Sequence, residues 1–158
     1  AFVMFGDVEL TVHCAAELLK RAPEYDYLIA PEAKAIPLLY EMARQSGAEK
    51  YFLARKGAKA YMTGVFEVEV RSITTMHIQK LVIDTADAEM IKGKKVLIVD
   101  DVISTGESLH AMEELVKRAG GIIAGKMAVL AEGDAKDRDD IITLAPLPLF
   151  NADGSVKE

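Results

Sequence analysis

At 158 residues, 51% of them apolar, the chain has the length of one domain with a sizeable core. Its net charge of −6 argues against a broad nucleic-acid surface, leaving room only for a local basic loop, and no apolar run approaches the roughly 18 residues of a membrane-crossing helix. Cys14 is the only cysteine, which excludes an internal disulfide; without a signal-peptide pattern, a soluble protein of the reducing cytoplasm is the simplest expectation.

The chain begins at Ala1 rather than Met, which leaves room for a missing N-terminal piece, and opens on a short apolar run, residues 2–5. From Asp7, a suitable N-cap, Leu10, Cys14, Ala15, Leu18, Leu19 and Ala22 recur at helical spacing as far as Pro23. His13 and Cys14 read as a surface imidazole and a core thiol, since no other ligand stands at metal spacing. Tyr27 to Ala30 reads as a buried strand, followed by the turn Pro31-Glu32-Ala33-Lys34 and a helix marked by Ile36, Leu38, Leu39, Met42 and Ala43. A third segment, Lys50 to Ala54, reads as a strand delivering Arg55-Lys56-Gly57-Ala58-Lys59, whose spacing suits a mobile basic loop better than a helix face. From Val65 to Arg71 the residues alternate, with Phe66, Val68 and Val70 on one side and Glu67, Glu69 and Arg71 on the other. With Met76 to Ile83 they predict an antiparallel hairpin inserted into a parallel sheet, joined through Ser72 to Thr75.

Lys95 to Ser108, KVLIVDDVISTGES, carries the chemistry. Val96 to Val99 fit a buried parallel strand, and Asp100 and Asp101 follow where such a strand is expected to leave the sheet. Ser104-Thr105-Gly106-Glu107-Ser108 then opens a helix with apolar residues at Leu109, Met112, Leu115, Val116 and Ala119. The first amides of a helix lack internal partners and carry the positive end of its dipole, so a phosphate can rest against them; Gly106 permits close approach and the hydroxyls add donors. Ionised carboxylates only accept hydrogen bonds, so the two acids suit sugar hydroxyls instead. The ligand implied is a sugar phosphate. An Asp pair after an apolar run also occurs in Walker B strands, receiver domains and simple helix caps, but the G-x-x-x-x-G-K-[ST] of a nucleotide triphosphatase is absent from the sequence.

Gly120-Gly121 stops the helix, and Ile122 to Ala131 reads as another strand. Glu132-Gly133-Asp134 follows it, Asp134 to Asp140 reads as a solvated charged loop, and Ile141 to Leu144 as a last short strand. Leu147, Leu149 and Phe150 suit either a flap over a ligand or packing on the body, and the tail from Asn151 reads as frayed. His77 and His110 stand without a cluster, His110 on a helix flank, and neither reads as a metal ligand.

The run from Val96 to Ser108 resembles the phosphoribosyl pyrophosphate (PRPP) signature of type I phosphoribosyltransferases, most nearly those acting on adenine. The resemblance implies an α/β fold: a mainly parallel central sheet flanked by helices, with an antiparallel flap hairpin and a small hood. It implies one domain over residues 1–158, with the flap at about 55–78 and hood segments at 1–6 and 144–152. Asp100 and Asp101 would then hold the ribose hydroxyls, and Ser104, Thr105, Gly106, Glu107 and Ser108 the 5-phosphate. Pro31 to Ala35 resembles the P-E-[AS]-R-G turn that cradles pyrophosphate in purine enzymes, adding Ala33 and Lys34. Here Lys34 replaces Arg, keeping the charge but losing the bidentate fork, and Ala35 replaces Gly. Arg55, Lys56 and Lys59 resemble the R-K-x-x-K pyrophosphate segment of adenine enzymes, which sometimes acts across a dimer interface.

Ile78-Gln79-Lys80 is similar to a flap strand of those same enzymes, which carry a proton-handling glutamate on the preceding strand. That place falls on Val70 here, with Glu69 adjacent, and a one-residue shift reverses the side chain. The resemblance implies Lys34, Arg55, Lys59 and Glu69 as catalytic residues, and Ile103, Glu132 and Phe150 at the base. It also implies Mg²⁺ carried by PRPP without a certain protein ligand, a nucleobase as second substrate, and a homodimer engaging neither nucleic acid nor membrane. The implied reaction is transfer of ribose 5-phosphate to a purine, adenine foremost, giving AMP and pyrophosphate in purine salvage. Orotate or another nucleobase, or a PRPP-binding regulator without turnover, stay open beside it.

Overall fold

The computed structural model describes residues 2–71 and 76–157, so the expected link at Ser72 to Thr75 lies outside the described residues. Helix α1 (Val8–Arg21) starts where the Asp7 carboxylate accepts the Leu10 N–H at 2.9 Å, and buries Cys14, Ala15 and Leu18. Strand β1 (Tyr27–Pro31) leads into α2 (Ile36–Ser46), which carries Pro37 in its first turn and ends at Gly47, φ +73°. Then follow β2 (Phe52–Ala54), β3 (Val65–Arg71), β4 (Ile78–Asp84), α3 (Thr85–Ile91), β5 (Lys95–Ile103), α4 (Glu107–Arg118), β6 (Ile122–Glu132), a 3-10 turn (Gly133–Asp137) and β7 (Ile142–Leu147).

The main sheet runs β2-β1-β5-β6-β7, and every neighbouring pair is parallel. A parallel sheet covered on both faces needs apolar residues in both directions, and β5 supplies them. Val96 and Ile98 join the core beneath α3, α4 and the hairpin; Leu97 and Val99 join the core beneath α1 and α2. The two helices that follow the central strands therefore lie on opposite faces: α2 carries the chain from β1 outward to β2, α4 from β5 outward to β6. Between β1 and β5 the winding reverses, which opens a crevice at their C-terminal ends, the usual ligand position in open α/β sheets.

The hairpin differs from its expected place. Strands β3 and β4 pair antiparallel, Val70 opposite Gln79 and Glu69 opposite Lys80, as a separate two-stranded sheet. Its backbone link to β2 is one pair of 2.8 Å hydrogen bonds between Arg55 and Val82. The reason is burial: Val68, Leu81 and Ile83 pack into the same core as α4, so the hairpin caps a helix instead of widening the sheet.

Four further local departures appear. Helix α3, capped by Asp84 on the Ala86 N–H at 3.0 Å, was not expected from so short a pattern. Residues Asp134 to Asp140, expected as solvated loop, include a 3-10 turn that buries Ala135. The tail from Asn151 is pinned by Asn151 N–H to Ser155 O at 2.8 Å and by a Phe150–Val156 bridge. Strand β5 also does not end before the acids: it stays paired with β6 to Ile103 opposite Ala131, although β1 has left its other side after Ile98. Asp100 and Asp101 therefore stand on a rigid strand whose flank has just opened.

Candidate active site

Two segments from opposite sides of the crevice meet at the acid pair. Asp101 is 5% exposed, and its Oδ2 is buried with no hydrogen-bond partner among the described residues. Lys34, from the turn after β1, brings Nζ to 3.8 Å from that oxygen while its own side chain stays half-exposed. Glu32-Ala33 in this turn is a cis peptide. Asp100 accepts the Asp101 N–H at 2.8 Å on Oδ1. Burial first, and then the neighbouring Asp101, push the Asp100 carboxyl well above the usual carboxylate range, against the opposing pull of the Asp101 amide and Lys34. An acceptor without a hydrogen-bond partner, beside a carboxyl that holds its proton, is open to a ligand hydroxyl.

The loop Ser104 to Ser108 follows directly. Gly106 is the N-cap of α4 with φ +82°, a conformation that glycine adopts without steric penalty. Ser104, Thr105 and Ser108 are exposed around it, and Glu107 occupies the first helical turn. Beside this loop lies a cavity of about 710 Å³. Ser104, Thr105, Gly106, Glu107 and His110 line one side; Val70, Arg71 and Gln79 of the hairpin another; Glu132, Gly133, Asp134, Ala135, Arg138 and Leu149 the third. The acids and the basic loop lie outside that lining, so the cavity occupies the loop side of a longer crevice.

The basic loop is anchored by a residue that sequence reasoning passed over. Glu32 accepts Arg55 Nε at 2.7 Å and the Lys56 amide on its other oxygen at 2.6 Å, while Arg55 Nη1 donates to the Tyr61 hydroxyl at 3.0 Å. Burial acts to raise the Glu32 pKa, but those two donors, with the positive charges of Arg55 and Lys59, hold it below its ordinary value. Arg55 is thereby committed to the turn, leaving Lys56 as an exposed cation on the loop and Lys59 half-buried.

The structure thus brings Lys34 to Asp101, the Arg55–Lys59 loop to Glu32, and Glu132 to the cavity beside Ser104 through Glu107. It does not bring Glu69 there: opposite Lys80, Glu69 is exposed and outside the cavity lining, to which β3 contributes Val70 and Arg71. Ile103 is 3% exposed within the core and does not line the cavity. Phe150 is 54% exposed and Leu149 takes the lining position. In the other expected hood segment, Met4 is buried in the core beneath α1 and α2. His110, expected on a helix flank, lines the cavity, as does Arg138. Nothing in the charged run around Arg138 set it apart from solvated surface.

The sequence model of the phosphoribosyl transferase domain matches residues 11–146, which is most of the chain. The chain belongs to that family. Among curated relatives, this phosphoribosyltransferase-family chain is 36% identical over 110 residues to an adenine phosphoribosyltransferase of Thermotoga maritima, covering 69% of this chain and 59% of the relative. An orotate phosphoribosyltransferase of Caldanaerobacter subterraneus is 30% identical over 111 residues, covering 70% and 47%. The chain thus spans roughly half to two thirds of the length of the curated relatives it matches. Among solved structures, adenine phosphoribosyltransferase from Thermoanaerobacter pseudethanolicus superposes with a TM-score of 0.73 at 24% identity, covering 89% of this chain and 83% of that one. The Giardia lamblia enzyme complexed with 9-deazaadenine gives 0.71 at 17% identity, covering 91% and 83%. These likenesses establish the type I fold, a parallel five-stranded sheet with helices on both faces and a separate hairpin.

Proposed function

We propose that this phosphoribosyltransferase-family protein binds PRPP along the crevice between the C-terminal ends of β1 and β5. It transfers the ribose 5-phosphate group to adenine, giving AMP and pyrophosphate as a step of purine salvage. The observation that carries this reading is the buried Oδ2 of Asp101, which has no hydrogen-bond partner among the described residues and faces Lys34 at 3.8 Å, shortly before the Gly106 loop. One crevice then offers acceptors to the ribose hydroxyls, amides and hydroxyls to the 5-phosphate, and cations to the pyrophosphate.

The chemistry is displacement of pyrophosphate from the anomeric carbon by a base nitrogen. Positive charge develops on the sugar while negative charge leaves with the diphosphate, so pre-placed charges contribute most. The Asp100–Asp101 pair orients the ribose and lies on the side where the sugar becomes cationic. Lys34, with Lys56 and Lys59 and with Arg55 once released from Glu32, neutralises the departing diphosphate. Closure of the flap, about residues 55–78 and so including β3 and the start of β4, excludes water that otherwise hydrolyses PRPP. Leu149 and Val70 provide apolar contact for the base, and Glu132 and Asp134 provide acceptors at its edge.

Mg²⁺ fits as an ion carried by the substrate's diphosphate: it commonly takes one or two carboxylates plus phosphate oxygens, and Asp100 with Asp101 offers that donor set beside Lys34. When bound, it supplies neutralisation of the leaving group. We place the protein in the cytoplasm as a homodimer of one domain each, consistent with its single buried cysteine and with no described helix long and apolar enough to cross a membrane.

The test is a panel of adenine, hypoxanthine, guanine, xanthine and orotate with PRPP and Mg²⁺. Pyrophosphate release with adenine supports the reading; turnover of orotate alone overturns the purine assignment. A second reading, PRPP binding without turnover, is favoured by Val70 standing in the cavity where the adenine enzymes' glutamate is expected. Saturable PRPP binding with no product from any base establishes it.

A further inference from the structure

Arg138 occupies an unusual place for a cation. The N-terminus of a helix carries partial positive charge and favours anions, yet this guanidinium lies against the N-cap of α4. The position that a Cβ would take at Gly106 is 2.7 Å from Arg138 Nη1. It does not arrive there as a loose surface side chain. Arg138 donates Nε and Nη2 to the two oxygens of Asp140 at 2.8 and 2.7 Å, and Asp140 accepts Lys126 Nζ at 2.8 Å. Lys126 in turn donates to Glu113 of α4 at 3.0 Å, with both of those side chains only 16% exposed. The chain of alternating charges ties β6 and α4 to the segment before β7 and fixes the guanidinium plane. Its fork is spent on Asp140, while Nη1 takes no hydrogen-bond partner among the described residues, and Arg138 lines the cavity.

We propose that Arg138 is a phosphate-binding residue of this site, contacting the 5-phosphate of the substrate from a position beside the α4 amides. The proposal rests on the PRPP reading above. A dianion resting beside Gly106 and Arg138 meets helix amides and loop hydroxyls together with a preoriented N–H that adjoins them. That arrangement converts an unfavourable cation–dipole juxtaposition into a favourable three-part contact. Asp140 acts as a positioning residue, holding the fork so that Nη1 alone is presented. Glycine at 106 is needed twice, for its φ of +82° and because any Cβ would displace Nη1.

The experiment is titration calorimetry of three probes, PRPP with Mg²⁺, ribose 5-phosphate, and pyrophosphate with Mg²⁺, into wild type, Arg138→Gln and Arg138→Lys. A charge-assisted hydrogen bond lost from a bound phosphate corresponds to roughly a 10- to 100-fold weaker Kd. Ribose 5-phosphate and PRPP are expected to weaken by that factor in Arg138→Gln, with pyrophosphate unchanged within about twofold. Arg138→Lys, which keeps the charge but not the fork, is expected to fall between. The KM for PRPP should rise while that for the base stays constant, and melting curves of both variants check that the fold survives. If wild type binds neither PRPP nor ribose 5-phosphate, the parent reading fails. If wild type binds both and Arg138→Gln retains ribose 5-phosphate affinity, or loses pyrophosphate alone, this inference fails by itself.

Discussion

Replacing Asp100 by Asn should strengthen the fold and weaken the site at once. The amide keeps an oxygen in place for the Asp101 N–H at 2.8 Å, so the local geometry survives. What disappears is a carboxyl whose pKa is raised by burial and by the neighbouring acid. Between the ordinary carboxylate pKa and that raised value, the folded chain holds a proton that the unfolded chain has released. Wild-type stability therefore falls as pH rises through that window and stays low above it. A neutral Asn escapes the penalty, which for a buried polar group lacking compensation is on the order of 1–3 kcal/mol. At about 2–4 °C per kcal/mol for a chain of this size, the variant should melt several degrees above wild type at pH 9. The advantage should disappear below about pH 4, where both chains are neutral at this position. At pH 9, where Asp100 is ionised in the folded chain, PRPP affinity should drop roughly 10- to 100-fold in the variant, the value of a hydrogen bond to a charged acceptor. Urea or thermal melts at pH 4, 7 and 9, with calorimetry of Mg²⁺–PRPP at pH 9, measure both. A variant that melts no higher than wild type at pH 9, or gains more at pH 4 than at pH 9, refutes the electrostatic account of the acid pair.

Gly106→Ala should cost about 1–2 kcal/mol, from the left-handed backbone at φ +82°, and should weaken PRPP binding because the new methyl meets Arg138. A wild-type melting curve together with unchanged binding would count against the loop as a phosphate seat. Glu32→Gln should loosen the Arg55–Tyr61 segment, seen as faster amide exchange over residues 55–64. Because the Glu32 pKa is lowered in the folded state, its stabilisation is present above the ordinary carboxylate range and is lost as pH falls through the folded value. Melts of the two proteins should therefore differ at pH 7 and converge towards pH 3. Val70→Glu carries a carboxylate into the cavity and should raise adenine turnover by about tenfold or more, since a positioned acid–base group is commonly worth 10²–10⁴. Unchanged steady-state turnover would mean that the base proton is handled elsewhere.

Legibility followed distance along the chain. The acids, the Gly106 loop and the start of α4 lie within one short run, so their order alone carries the expectation of a sugar-phosphate site. The doubly buried character of β5 is equally local, written in four successive apolar residues. Pairs remote in sequence were not legible. Glu32 and Arg55 are 23 residues apart, and neither carries a mark of the other. The run from Asp134 to Asp140 has the composition of solvated surface, yet Arg138 and Asp140 complete an ion chain that begins on β6 and α4. The hairpin was legible as a hairpin, but its docking was not, because alternation reveals that one face is buried without saying against what.

By itself, the amino-acid order determined the alternation of strands and helices, the buried central strand, and the motif of hydroxyls, glycine and acids from which the proposed ligand class is argued, since each depends on residues a few positions apart. Only the tertiary structure decided that β5 runs on past its acids, that Val70 rather than Glu69 enters the cavity, that Arg55 is held by Glu32, and that Arg138 crosses to Gly106. Those outcomes depend on register and packing between segments, where a shift of one residue or one neighbour reverses which side chain faces the site.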